Sequence, residues 1–196
     1  MKTLLITGFE PFGGESINPS WEAVERLPSN IGDFSLKKLR IPVVFGDAAK
    51  IVIGEAEKVK PDAILCIGQA GGRNAITPEL VGINLSHASI PDNGGNQPID
   101  VAIIEGGNTA YFSTMPVRKM AEAISALDIP AQLSYSAGAY VCNDLLYTLL
   151  YHFEGSKTKV GFIHIPYCTE QNKEPSMDIE TIVRGLTAAI ENIDAK

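Results

Sequence analysis

Strand-like apolar runs alternate with helix-like segments along this chain from end to end, and no other feature of the sequence restricts its folding more. Residues 2–7, 34–41, 62–68, 131–135 and 159–165 read as strands, the first of them apolar almost throughout. Residues 20–27, 47–59, 117–127, 139–153 and 176–193 carry apolar side chains at three- and four-residue spacing, the pattern of helices with one buried face. Strands separated by helices are joined by crossovers and pair in parallel. The expected fold is therefore α/β: a three-layer sandwich in which a mainly parallel twisted sheet has helices on both faces. A chain of 196 residues, 45% of them hydrophobic, is long enough for one well-buried core, so a single domain over 1–196 is expected.

Local signals mark the boundaries. Gly8 ends the first strand, and Asn18-Pro19 supplies an N-cap followed by proline at the first helical position. Lys60-Pro61 stops the second helix, and Ser176 reads as the N-cap of the last. Residues 79–85 are expected to form a short strand and 101–115 a weak one. Residues 8–20, 68–78 and 89–98 are turn-rich loops.

Charge and cysteine usage exclude several classes. A formal charge of −7 and a pI near 5.0 argue against a general nucleic-acid binder, and Lys37, Lys38 and Arg40 are too few to reverse that. Cys66, Cys142 and Cys168 cannot all pair within one chain, which fits a reducing, cytoplasmic compartment. The opening MKTLLITGF is interrupted by Glu10 and by Gly13-Gly14 too early for a signal peptide, and no stretch reaches the length of a membrane span.

Chemistry concentrates in SYSAGAYVCNDLLYTLLYHF, residues 134–153, where a β-like run and a small-residue turn feed a helix with Cys142 in its first turn. Unpaired N–H groups and the helix dipole there favour a thiolate nucleophile. The other reading is a small buried hydrophobe. A nucleophilic cysteine needs a base and a group to orient that base. His152 lies ten positions further along the helix, ~15 Å away at 1.5 Å per residue, and is excluded; it suits a helix C-terminus. His87 sits in a loop with no defined role. His164 interrupts the apolar strand VGFIHIPY near its carboxyl end, the edge where α/β sheets place their working crevice. It reads either as that base or as a core histidine bonded to a backbone carbonyl.

Among carboxylates, Asp144 points to nearly the opposite side of the helix from Cys142, and Asp92 resembles a turn former. Glu79, at a loop boundary beside an apolar strand, needs a partner and is the choice to orient His164. Neither GFEPFGG nor GQAGGR matches a dinucleotide or phosphate-binding loop, and no metal-binding spacing occurs, so no metal is expected.

Taken together, GFEPFGG…NPSWEAV, GQAGGR…ITPE, IPDN…GNQP, SAGAYVCN and GFIHIPY resemble the pyrrolidone-carboxylate peptidases, the cysteine-type pyroglutamyl peptidases, in register over residues 5–171. The resemblance implies a cytosolic exopeptidase that removes an N-terminal pyroglutamyl residue from peptides, with Cys142, His164 and Glu79 as its triad. No cofactor is implied, and relatives are often tetramers. The family's lactam pocket falls on Phe9, Phe12, Ile90, Tyr140 and Val141, with Asn18 and Gln69 near it. Such walls suit an uncharged ring that needs a few exact hydrogen bonds. Three departures stand out: Ser89 and Leu80 occupy positions where many members carry arginine, and Val43 replaces a frequent threonine. These changes keep two rivals open, a non-catalytic binding protein on the same scaffold and an acyl hydrolase for a different small amide.

Overall fold

The computed structural model describes residues 1–195. In chain order the elements are β1 (Lys2–Phe9), α1 (Pro19–Arg26), β2 (Asn30–Ile31), β3 (Phe34–Ile41), α2 (Asp47–Val59), β4 (Ala63–Gln69), β5 (Thr77–Pro78), β6 (Val81–Ile83) and β7 (Ala110–Phe112). They continue with α3 (Val117–Ser125), α4 (Val141–His152), β8 (Lys159–Ile165), β9 (Tyr167–Cys168), a 3-10 turn (Thr169–Gln171), β10 (Ser176–Met177) and α5 (Ile179–Glu191). Six strands form the main sheet in the order β2-β3-β1-β4-β8-β5. Its four inner strands are parallel, and short β2 and β5 close the edges in antiparallel pairing.

Side-chain alternation along the central strands builds two cores. Leu4 and Ile6 of β1, Leu65 and Ile67 of β4, and Ile163 and Ile165 of β8 pack beneath α1, α3 and α5. Leu5, Ile64, Val160 and Phe162 point the other way, beneath α2 and α4. Both faces are thus covered, which is why the central strands carry apolar residues at successive positions. The expected three layers are present.

Local chemistry accounts for the joints. Asn18 caps α1 by accepting from Ser20 N at 3.1 Å, with Pro19 in the first turn as its fixed φ favours. Gly8 lets that turn approach β1: a Cβ there would lie 2.7 Å from the Ser20 carbonyl oxygen and the Trp21 backbone.

Four expectations are corrected. The last helix is capped by Asp178, which accepts from Thr181 N at 2.9 Å; Ser176 instead pairs β10 with β9. Residues 131–135 make only two isolated parallel bridges, Ile76 to Ala131 and Glu79 to Ser134, along the outside of β5. Of residues 101–115 only Ala110–Phe112 form a strand, paired against β6, while Val101 makes an isolated antiparallel bridge to Ser86; Gly106 takes a positive φ of 71° and turns the chain between them. The segment 79–85 is correspondingly reduced to Val81–Ile83, outside the main sheet.

Because Asp178 is exposed beyond the core and remote in sequence from the catalytic motifs, Asp178→Ala is expected to cost about 1 kcal/mol. A lower urea midpoint with an unchanged m-value reads this out.

Candidate active site

Cys142 is the second residue of α4, and the strand register explains where its thiol rests. His164 of β8 lies opposite Gly68 of β4. A Cβ on Gly68 would come within 3.0 Å of Cys142 Sγ and 2.7 Å of the Phe162 ring. The thiol therefore sits over a bare backbone position on β4, and His164 occupies the paired position on β8, the adjacent strand of the ladder. Phe162, two residues before His164 on the same face, holds the imidazole at a ring separation of 4.7 Å.

Glu79 reaches the site from the sheet edge. Thr77 of β5 pairs with His164, and Glu79 N continues the ladder to the Phe162 carbonyl at 2.9 Å. Its wholly buried carboxylate accepts from His164 Nδ1 at 2.7 Å through Oε1. Arg73 donates to the same oxygen at 2.6 Å and also to Thr77 Oγ1 and the Ser136 carbonyl. Oε2 is buried without a hydrogen-bond partner among the described residues.

These contacts settle the protonation pattern. Burial pushes the Glu79 carboxyl up, but His164 foremost, then Ser134 and Arg73, outweigh it and leave it below the ordinary carboxylate range. Burial lowers His164 and Arg73 adds to that, against the opposing pull of Glu79, so the imidazole is neutral at pH 7. An ionised Glu79 can only accept, so Nδ1 carries the proton and Nε2 is left as the base. Burial also raises the Cys142 thiol, with Glu79 adding to the effect and Arg73 opposing it. The thiolate favoured by the helix terminus is thus opposed by desolvation of a half-buried sulfur that borders a pocket.

Beside Cys142 lies a small inner pocket of about 40 Å³, walled by Phe9, Phe12, Val43 and Tyr140, with Asn18 and Gln69 as its amides. It opens toward an outer cleft of about 660 Å³ bordered by Gly71, His87, Ser89, Ile90 and Tyr167. Asp92 organises the wall loop by accepting from Phe45, Gly94 and Asn96 N–H groups. Tyr140 meets Phe45 edge-on at 5.2 Å and donates to the Pro91 carbonyl. Val141 is fully buried among α2 and α4 and lines neither cavity. Asp144 faces away from the thiol and accepts from Gly46 N at the start of α2, while His87 is paired with Asp100 at 2.8 Å. His152 lies in the last turn of α4.

The model of the pyroglutamyl peptidase family matches residues 1–196. The chain belongs to the pyroglutamyl peptidase family. It is 52% identical to the pyrrolidone-carboxylate peptidase of Staphylococcus haemolyticus, over 97% of this chain and 92% of that one. The Brevibacillus brevis pyrrolidone-carboxylate peptidase is 50% identical with the same coverage. In structure the chain resembles pyroglutamyl peptidase I of Bacillus amyloliquefaciens, with a TM-score of 0.95, 43% identity and coverage of 100% and 98%. The pyrrolidone carboxyl peptidase of Thermococcus litoralis gives a TM-score of 0.94 at 36% identity, covering 98% and 93%.

Within this pyroglutamyl peptidase fold, the cation beside the buried carboxylate is Arg73, which the sequence reading passed over. The available signal was physical: a carboxylate placed next to an apolar strand requires a cation, and the nearest one in sequence ends GQAGGR. Leu80 packs into the core under α1, α3 and α5, the opposite side from the Glu79 carboxylate, so its substitution leaves the Arg73 contact untouched. Ser89 borders the outer cleft.

Gly68→Ala should displace both Phe162 and the thiol, lowering kcat on the order of 100-fold, since displacements of an ångström carry such costs. Gly54→Ala, in α2 with nothing within 4 Å of the new Cβ, serves as the neutral control in the same assay.

Proposed function

We propose that Cys142, His164 and Glu79 carry out the family's reaction, hydrolysis of the amide between an N-terminal pyroglutamyl residue and the next residue of a peptide. The observation that carries this reading is the seating of the thiol over Gly68, one strand from an imidazole whose Nδ1 is committed to a buried carboxylate. A lactam ring enters the inner pocket and the leaving peptide lies in the outer cleft. His164 Nε2 takes the thiol proton as sulfur attacks the pyroglutamyl carbonyl carbon. The N–H of Cys142, unpaired within the first turn of α4, faces the developing oxyanion. Collapse of the tetrahedral intermediate breaks the C–N bond while Nε2–H protonates the departing amine. Water, activated by the same nitrogen, then hydrolyses the thioester.

Starting from a neutral thiol and a neutral imidazole, charge separates only as the S–C bond forms, and Glu79 stabilises the imidazolium at that moment. The substituted Ser89 leaves the oxyanion to backbone donors. The same proposal includes a cytoplasmic location, consistent with three free cysteines, and a tetrameric assembly, which the exposed Phe112 and Tyr151 favour.

Release of a fluorophore from a pyroglutamyl amide under reducing conditions tests the reading. Cys142→Ser is expected to abolish release with the fold intact, while Cys66→Ala and Cys168→Ala retain it. Absence of turnover in the unaltered protein would favour the non-catalytic rival, and turnover of other blocking groups alone would favour the other-amide hydrolase.

The pH profile gives a second check. Activity needs the unprotonated Nε2, so kcat/KM should be lost as pH falls through a His164 pKa lying below 6.5. In Glu79→Gln the amide can donate to Nδ1 and place the proton on Nε2, and kcat should drop by about 10³-fold or more with little change in KM. Any residual activity should have its acid limb moved to still lower pH, because Glu79 is the group that raises His164.

A further inference from the structure

Gln69, the last residue of β4, borders both the inner pocket and the outer cleft, and its side-chain amide has two chemically opposite ends. Which end meets a lactam decides whether the pocket offers a donor or an acceptor. The answer lies in the 3-10 turn that follows β9. Gln171 is the third residue of that turn and reaches back to the N–H of the capping residue, Cys168, at 3.1 Å. A backbone N–H can only donate, so Gln171 must present Oε1 to it. Its Nε2 is then the opposite end, and it donates to Gln69 Oε1 at 2.9 Å.

With its oxygen committed, Gln69 has only Nε2 left, and no hydrogen bond to that nitrogen occurs among the described residues. The pocket's other amide is already engaged. Asn18 Oδ1 accepts both the N–H and the hydroxyl of Ser20, and its Nδ2 donates to the Glu10 carbonyl.

We infer that Gln171 is a positioning residue that sets the polarity of Gln69, so that the pocket meets the substrate's lactam carbonyl with an N–H donor. A helix-capping bond thereby bears on substrate selection, a role that rests on the pyroglutamyl reading proposed above. A ring lacking the carbonyl would leave Nε2 unpaired in the pocket, which discriminates against plain five-membered rings.

Two substitutions separate this role from a purely structural one. Gln171→Glu keeps an acceptor for the Cys168 N–H but offers only an acceptor to Gln69, forcing its amide to turn its oxygen into the pocket. Gln171→Leu removes both contacts and leaves Gln69 free to adopt either orientation. The assay measures KM and kcat for a pyroglutamyl amide of 7-amino-4-methylcoumarin, together with inhibition by the cyclopentanecarbonyl analogue, which keeps the ring but lacks the lactam groups. The expected order of KM is wild type, then Leu, then Glu, with the Glu variant raised about 10- to 100-fold, the range of one buried hydrogen bond replaced by an unpaired group. Inhibition by the analogue should change far less.

A structural role predicts the reverse order, because only Leu deprives the turn of its cap; Leu equal to or worse than Glu would overturn the inference, as would parallel loss of analogue binding. Should Gln171→Glu fail to fold, Gln69→Glu decides, since it preserves the bond from Gln171 and replaces the pocket donor by an acceptor. An unchanged KM in that variant also overturns the proposal. Lack of turnover in the unaltered protein would strike the proposed reaction instead, so the two failures are distinct.

Discussion

A carboxylate with no exposure to solvent sits at the edge of the main sheet, and much of the site is arranged around its charge. An ionised group removed from water is tolerated only with partners of excellent geometry. Glu79 obtains them from three directions: His164 across the ladder, Arg73 from the preceding loop, and the chain near Ser134 alongside. Arg73 in turn is held by Thr77 and the Ser136 carbonyl. Because Ser136 begins the turn that leads into α4, the same ion pair that satisfies Glu79 also ties down the segment delivering Cys142. Orientation of the His164 imidazole and placement of the Cys142 thiol are thereby coupled through one guanidinium.

The burial that protects this network sets the chemistry of the thiol. A helix N-terminus stabilises negative charge, yet desolvation and the nearby Glu79 act in the opposite sense and leave the sulfur protonated at rest. In the proposed reaction, proton transfer and bond formation then belong to one event, and the field of Glu79 and the helix terminus acts where charge develops rather than on the ground state. Glycine at position 68 is a condition for this arrangement, since any side chain there would occupy the volume that sulfur and the Phe162 ring share.

The pocket follows a different logic. Apart from Phe9 at the end of β1, its walls come from loops, which hold aromatic residues rigidly only because buried polar side chains brace them: Asp92 under the Phe45 and Tyr140 contacts, and Asn18 at the start of α1. Capping groups do double duty here. Asn18 terminates a helix and borders the pocket, and Gln171 closes a 3-10 turn and grips a pocket amide.

Strand and helix alternation determined the layered fold by itself, because patterns of continuous burial and of 3.6 residues are local properties that tertiary context left unchanged in the four inner strands and the five helices. The same holds for Asn18 with Pro19, and for His164 at a strand's carboxyl end, where topology alone predicts a crevice. Together with family resemblance, the sequence also singled out Cys142 and Glu79. What only the tertiary structure decided concerns contacts between segments far apart in the chain. Arg73 meets Glu79 through a loop with no periodicity, residues 131–135 form isolated bridges along the outside of β5 rather than a strand, and the Val141 side chain is buried in the core. The resting state of the thiol belongs in the same class, since desolvation depends on everything packed around the sulfur and cannot be read from the helix that carries it.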